Sequence, residues 1–253
     1  MSDQFLGMPG IDPWVFIGLA LAALLTAFIS AVSGSSGGLI LLAIMAFIFP
    51  PALLIPLHTI IQLCASAAMA ASRWRYLMRG IIGPFMLGSV IGAAIGGKIF
   101  VSLPTSTLQV VLGVSILVLA WIPQIARFGP ERGRFIFVGF VTTFLGIFIS
   151  ATGTLLAAFT AAIAPDRRNH VATVGGLMCI VHVVKLVAFG LLGIEFGGFV
   201  PLLAAMIVTS FIGTWLGRIT LDRIPERLFR MVFQVILTVL ALRLIWIAVG
   251  SQF

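Results

Sequence analysis

The chain has 253 residues, 61% of them hydrophobic and only 9% charged, with a formal net charge of +8 and a mean hydropathy of +1.23. A soluble domain carries roughly 25% charged residues, so this composition leaves no water-soluble domain of useful size and reads as an all-α polytopic membrane protein. The positive balance sits in short stretches between apolar runs, where Lys and Arg set orientation and meet anionic headgroups; it is not read as affinity for nucleic acid.

A helical span takes about 20 residues, and eight apolar regions qualify. Two are interrupted, 14–49 and 135–164; the others are 52–71, 81–101, 107–122, 170–192, 197–217 and 228–249. The segment 1–13 carries Asp3 and Asp12 but no Lys or Arg. It lacks the basic n-region of a cleavable signal, so the first span is expected to be retained.

The first region is broken by Ser33-Gly34-Ser35-Ser36-Gly37-Gly38. Six small residues, three of them Gly, are poor helix formers and predict a break in mid-membrane. Lipid offers a broken backbone no hydrogen bonds, so such a break needs protein or a watery cavity around it. It also yields a half-helix N-terminus whose free N–H groups and positive dipole end, flanked by serine hydroxyls, suit an anion. Pro50-Pro51 ends this region, because a proline ring has no N–H to continue the helix.

The second span carries His58 and Gln62 one turn apart. The third has Gly88, Gly92 and Gly96 along one face, a pattern that lets helix backbones approach closely. The second interrupted region breaks at Ser150-Ala151-Thr152-Gly153-Thr154 and ends near Pro165. The sixth span holds His182 and Lys185, again about one turn apart, and the seventh repeats the glycine pattern at Gly213 and Gly217. Ionisable groups inside a membrane are costly and usually face a cavity. A buried cation there can neutralise an oxyanion, and a histidine can carry a coupled proton; the bland alternatives are a snorkelling lysine and ordinary interhelical hydrogen bonds. Trp14, Trp74, Trp121 and Trp246 fall near span ends, as an interfacial belt would place them. Trp215 lies deeper and is expected to pack on the glycine face, whereas Arg243 is expected to snorkel. Cys64 and Cys179 fall inside apolar spans and indicate neither a disulfide framework nor a zinc site; no metal or cofactor is called for.

The second half repeats the first. Gly92, Gly96 and Pro104 match Gly213, Gly217 and Pro225 at a shift of 121, and Phe28, Ser36, Gly37 and Leu39 match Phe144, Thr152, Gly153 and Leu155 at a shift of 116. A corresponding pair of interrupted segments is the best sequence pointer to a transporter's binding site. Basic residues cluster at Arg73/Arg75/Arg79, Arg127/Arg132/Arg134, Arg167/Arg168 and Arg218/Arg223/Arg227/Arg230. Placing all four clusters in the cytoplasm requires 135–164 to enter and leave on the same side, which follows if each interrupted region is a helical hairpin with the break at its tip. Each repeat is then a broken-helix hairpin plus three crossings, and the two are inverted. The expected division is 14–126 for repeat 1 (hairpin 14–49), a basic cytoplasmic linker at 127–134 and 135–253 for repeat 2 (hairpin 135–164), with both termini extracytoplasmic. Lys98 is the one charge placed against this orientation.

These features together resemble the sulfite exporter TauE/SafE family of anion permeases. The resemblance rests on Val32 through Ile40, on Gly88/Gly92/Gly96 followed by Leu103-Pro104, on Thr173 followed by Lys185-Leu186-Val187-Ala188-Phe189, and on the degenerate second copy. Members often carry three glycines and then a proline after the first arm, whereas here Leu39 follows Gly37-Gly38, and Gly153 is the only glycine of the second break. The resemblance implies a bacterial inner-membrane carrier of sulfite, sulfonates or related sulfur oxyanions, working by alternating access and coupled to an ion or proton. Its implied site joins Ser33, Gly34, Ser35, Ser36, Gly37 and Gly38 to Ser150, Thr152, Gly153, Thr154 and Lys185. His58, Gln62 and His182 supply polar support or coupling. The partners are then a small anion and the lipid bilayer, with no nucleic acid. Two other readings stay open. Gly34-Ser35-Ser36-Gly37 fits the pattern of an intramembrane serine hydrolase with His182 as base, and a non-transporting membrane scaffold would also carry polar breaks.

Overall fold

A computed structural model describes residues 5–33, 37–121, 134–150, 152–195 and 197–220, together with 235, 238–239, 241–243 and 245–246 of the last apolar region. The expected span 228–249 and the 127–133 part of the basic linker therefore lie largely or wholly outside the described residues. Nine α-helices are bounded among the described residues, in order: α1 Pro13–Ser33, α2 Gly37–Met45, α3 Pro51–Ser72, α4 Ile82–Ser102, α5 Thr105–Trp121, α6 Arg134–Ile149, α7 Gly153–Ala161, α8 Arg167–Leu191 and α9 Val200–Thr220. No strand occurs among the described residues. Five of the helical segments are long and apolar enough to cross a membrane: 13–30, 51–72, 79–102, 167–191 and 197–217. The protein is an all-α polytopic membrane protein.

Local chemistry sets the helix ends. Asp12 accepts the Val15 N–H at 2.8 Å, and Asp166 accepts the Asn169 N–H at 2.8 Å. Each carboxylate satisfies a first-turn donor that would otherwise have no partner. Pro51 opens α3 at the position where a missing N–H costs nothing.

Both breaks have helices on either side: α1 ends at Ser33 and α2 starts at Gly37, while α6 ends at Ile149 and α7 starts at Gly153. A Cβ on Gly37 would collide with the Thr26 carbonyl and the Ser30 side chain, so α2 lies directly against α1. The segments flanking α1 and α2 come together at one end of the molecule. There Pro9 approaches Gly198, and Phe49 meets Phe199 edge-on with ring centroids 5.7 Å apart. At the opposite end the Asn169 amide donates to the Tyr76 carbonyl at 2.8 Å, Arg168 donates to the Tyr76 hydroxyl at 3.1 Å, and Arg75 and Arg79 sit over Trp74. Two basic clusters thus share one end.

Three helix pairs carry the packing: α4 on α6, α1 on α9, and α3 on α8. Glycine makes the first two possible. A Cβ on Gly88 or Gly92 would strike the backbone of Ile136 and Phe140, and one on Gly213 would strike that of Leu24 and Phe28. The α3–α8 pair meets with Gly175, near the start of α8, against Ser66 and Ala70, near the end of α3, so these helices run antiparallel.

Trp215 corrects one expectation: it is 63% exposed and faces outward, away from the glycine contacts. Leu21, Leu25, Val90, Val208 and Phe211 are likewise exposed apolar side chains of these helices, of the kind expected to meet lipid.

Two apolar clusters fill the interior. The larger includes Leu42, Leu54, Ile61, Ile147 and Phe189; the smaller includes Phe85, Val138, Leu177 and Val181. Along α6 and α8 the chain passes from one cluster to the other, and the polar residues fall in that passage: Thr142 and Thr143 on α6, His182 and Lys185 on α8.

Candidate functional site

The site is built on Ser150, the residue that ends α6. Its N–H reaches back to the Gly146 carbonyl at 2.9 Å while its φ of +56° turns the chain left-handed. Residues other than Gly rarely take that conformation, which costs roughly 1–2 kcal/mol. The turn aims a buried hydroxyl inward. His58 Nδ1 lies 3.0 Å from Ser150 Oγ, Lys185 Nζ donates to it at 3.3 Å, and Thr59 Oγ1 lies at 3.4 Å.

The other nitrogen of His58 ties in the first hairpin: Nε2 is 2.9 Å from the Gly38 carbonyl. A carbonyl can only accept, so Nε2 carries the hydrogen, and in a neutral ring Nδ1 then accepts from the Ser150 hydroxyl. Lys185, Ser150, His58 and Gly38 form one directed chain of hydrogen bonds, each polarising the next. Gly38 also has the Gln62 side-chain amide against it, where any Cβ would collide. His58 of α3 therefore binds the start of α2 to the end of α6, and Gln62 packs against the start of α2.

Lys185 is fully buried, as are His58 and Thr59, and His182 is 1% exposed. The lysine does not snorkel. None of the seven acidic residues in the sequence falls within a described helix, so no carboxylate of α1–α9 neutralises it. Among the described residues, no group of three or more His, Cys, Asp or Glu gathers as a metal site would. Among the described residues Lys185 has no carboxylate partner, and a cation so placed in a low-dielectric interior is unfavourable, a cost that a negatively charged guest would relieve.

Several polar atoms here also lack partners. Among the described residues, Thr143 Oγ1, Thr152 Oγ1 and both ring nitrogens of His182 are buried without a hydrogen-bond partner. Other buried threonines satisfy themselves: Thr59, Thr142 and Thr160 each donate to the carbonyl four residues back, at 2.6, 2.7 and 2.8 Å.

The residues singled out from the sequence divide into three sets. Gly38, His58, Gln62, Ser150, Thr152, His182 and Lys185 lie in the buried polar region or on the segments bounding it. Gly37, Gly153 and half-buried Thr154 lie in the first turns of α2 and α7. Gly34, Ser35 and Ser36, and the side chain of Ser33, lie outside the described residues, and with them the Ser36 of the hydrolase reading. Sequence reasoning passed over Thr59, Thr143 and Gly146. Their signal was positional: Thr59 adjoins His58, and Thr143, Gly146 and Ser150 follow the i, i+3, i+7 spacing of one helix face.

A family model described as sulfite exporter TauE/SafE matches residues 19–244. No curated protein and no solved structure matches the chain. The matched stretch takes in both interrupted helices, both glycine faces and every side chain of the buried polar region, and it leaves out only the two ends of the sequence. The chain belongs to the sulfite exporter TauE/SafE family, a family of membrane anion transporters.

Proposed function

We propose that this protein is a secondary transporter, not an enzyme, that moves a small sulfur oxyanion such as sulfite or a sulfonate across the bacterial inner membrane by alternating access. One observation carries the reading: His58 bridges the two interrupted helices, from the Gly38 carbonyl to the Ser150 hydroxyl, and a fully buried lysine reaches that same hydroxyl. The anion is held between the hairpin tips, by N–H groups and hydroxyls of residues 33–38 and 150–154 and by Lys185. His58, Gln62 and His182 orient it or pass a coupled proton.

The reading includes inverted repeats, 14–126 and 135–253. Two features support it. Gly92 meets Phe140 and Phe144, and Gly213 meets Leu24 and Phe28; shifts of 121 on the glycines and 116 on their partners relate the two contacts. Helices α3 and α8 hold equivalent places in the two halves and pack antiparallel, as a two-fold axis in the membrane plane requires. With the basic clusters cytoplasmic, both termini face outward.

The test is flux of sulfite, sulfoacetate and thiosulfate in proteoliposomes, with and without a proton gradient. A gradient that drives accumulation of one of them establishes the coupling. Binding without flux in any direction would favour the scaffold reading instead.

A further inference from the structure

The turn from α3 into α4, residues 73–81, is fastened to the start of α8. Besides the two bonds to Tyr76 from Arg168 and Asn169, the Met78 N–H donates to Thr173 Oγ1 at 3.0 Å, and Leu77 lies where a Cβ on Gly176 would fall. A turn held at several places presents its charges in a fixed array. Arg75 and Arg79 both lie over the Trp74 ring, 5.7 and 5.8 Å from its centroid, and Arg168 lies 5.6 Å from the Tyr76 centroid. Arg73, Arg75, Arg79, Arg167 and Arg168 are all exposed, as is Trp74. Asp166 is the one acidic residue adjoining these two stretches, and its Oδ1 already takes the Asn169 N–H. The other acidic residues among the described ones, Asp12 and Glu195, stand at the opposite end, before α1 and after α8.

We infer that this patch is a binding site for an anionic phospholipid, its phosphate held by the guanidinium groups of Arg75 and Arg79 while Trp74 lies against its glycerol region. Charge comes first. Two cations gathered on one ring repel each other, and a phosphate between them offsets that repulsion. A guanidinium stacked on a ring face also keeps its N–H edge free, the edge that pairs with two phosphate oxygens at once. Depth comes second. One span ends at 72 and two others begin at 79 and 167, so the patch lies at the membrane boundary. That is the level of lipid phosphates, and it is where an indole finds apolar surroundings for its ring and polar ones for its N–H. Third, α4 runs on from Arg79 into the membrane with Met86, Leu87 and Val90 exposed, apolar surface along which the acyl chains of the same lipid continue. A soluble phosphate would use only the first of these features. Basic loops in general attract an anionic surface; the fixed array over Trp74 turns that diffuse attraction into a discrete site. The site stands whether or not the protein carries anions.

The test uses the full-length protein in phosphatidylcholine vesicles. These carry an equal minor fraction of either phosphatidylglycerol or phosphatidylcholine, brominated near the top of the acyl chains. Bromine quenches only a tryptophan close to it, and the difference between the parent and Trp74→Phe isolates the Trp74 emission. Brominated phosphatidylglycerol should quench Trp74 several-fold more than brominated phosphatidylcholine. Arg75→Gln/Arg79→Gln should bring the two lipids level. Arg127→Gln/Arg132→Gln, which lowers the charge equally in another basic stretch, should leave the preference intact. Equal quenching in the parent, or a preference that survives Arg75→Gln/Arg79→Gln, overturns the site. A preference lost as fully in Arg127→Gln/Arg132→Gln shows diffuse attraction alone and overturns it too. Inorganic phosphate added at constant ionic strength should leave the quenching unchanged; if it relieves the quenching, the patch takes free phosphate and the lipid assignment falls.

Discussion

Ser150 serves two separable purposes, and two substitutions pull them apart. Its hydroxyl holds His58 and Lys185 together, and its φ of +56° makes the turn that ends α6. Ser150→Ala removes the hydroxyl and keeps a Cβ in the left-handed region; Ser150→Gly removes both. Each variant deprives the lysine of its hydrogen-bond partner on α6, a loss of about 1.5–3 kcal/mol for a charged group. Only the alanine also keeps the left-handed penalty of roughly 1–2 kcal/mol. Glycine gives back part of that through its greater freedom in the unfolded chain, about 0.4–1 kcal/mol. The net expectation is that Ser150→Gly is more stable than Ser150→Ala by about 1 kcal/mol. In a chain of this size that is a gap of about 2–4 °C in Tm. Thermal unfolding of the two variants in the same detergent measures it, and anion binding should be lost in both. Equal Tm values, or a more stable alanine variant, would show that the turn stores no strain. A Ser150→Ala protein that binds anion like the parent would show that the hydroxyl does not organise the site.

Lys185→Ala should cut anion flux by two orders of magnitude or more in proteoliposomes, because it removes the buried charge that opposes the guest's; unchanged flux would remove the lysine from the mechanism. Gly92→Ala puts a methyl 2.5 Å from the Phe140 carbonyl, where only backbone can yield. It should lower stability by about 1–3 kcal/mol, read as a drop in Tm. Gly18→Ala is the matched control. It lies within α1 with nothing within 4 Å of the added Cβ, and should raise stability by up to about 1 kcal/mol. Asp166→Ala removes the cap of α8 and should cost about 1 kcal/mol, with transport intact if the cap only holds the basic end together.

The fold was legible wherever one signal acted alone. Runs of apolar residues near 20 long can only be spans, and clusters of Ser, Gly and Thr inside them can only interrupt a helix. The glycine faces were legible too, since a line of residues without side chains across an apolar helix has little other use. Trp215 was misjudged because its depth in the span says nothing about its direction around the helix; that is settled by α9 turning Gly213 to α1 and leaving the tryptophan outward. The site was legible in its rare groups, His58, His182 and Lys185, because ionisable residues stand out in an apolar chain. It was illegible in its common ones. Thr59, Thr142 and Thr143 look alike in sequence, and only packing reveals that two of them bond the preceding turn while Thr143 does not. Nor does any local pattern mark Ser150 as left-handed; that follows from α6 ending against α3 and α8 together.

The same packing constrains what could move. Helix α4 meets α6 and α1 meets α9 with backbone against backbone at Gly88, Gly92, Gly139 and Gly213. Such contacts have one good arrangement and resist sliding, since a small shift drives a Cβ or a carbonyl into the facing helix. Each pair is therefore one stiff body, and each joins a helix from the first half of the chain to one from the second. Alternating access, if it operates, cannot then come from rocking residues 14–126 against 135–253, because that motion would shear both glycine contacts at once. It would have to carry the pair α1–α9 relative to the pair α4–α6. The hydrogen bonds from His58 to Gly38 and to Ser150 span those two bodies, Gly38 following α1 through the first hairpin and Ser150 ending α6. These bonds, with the one from Lys185, are the contacts such a motion would make and break, and they are also the contacts an anion beside Ser150 would strengthen or replace. Binding and movement would act on the same few polar atoms, and this gives a physical reason for placing them deep in the interior despite what their burial costs.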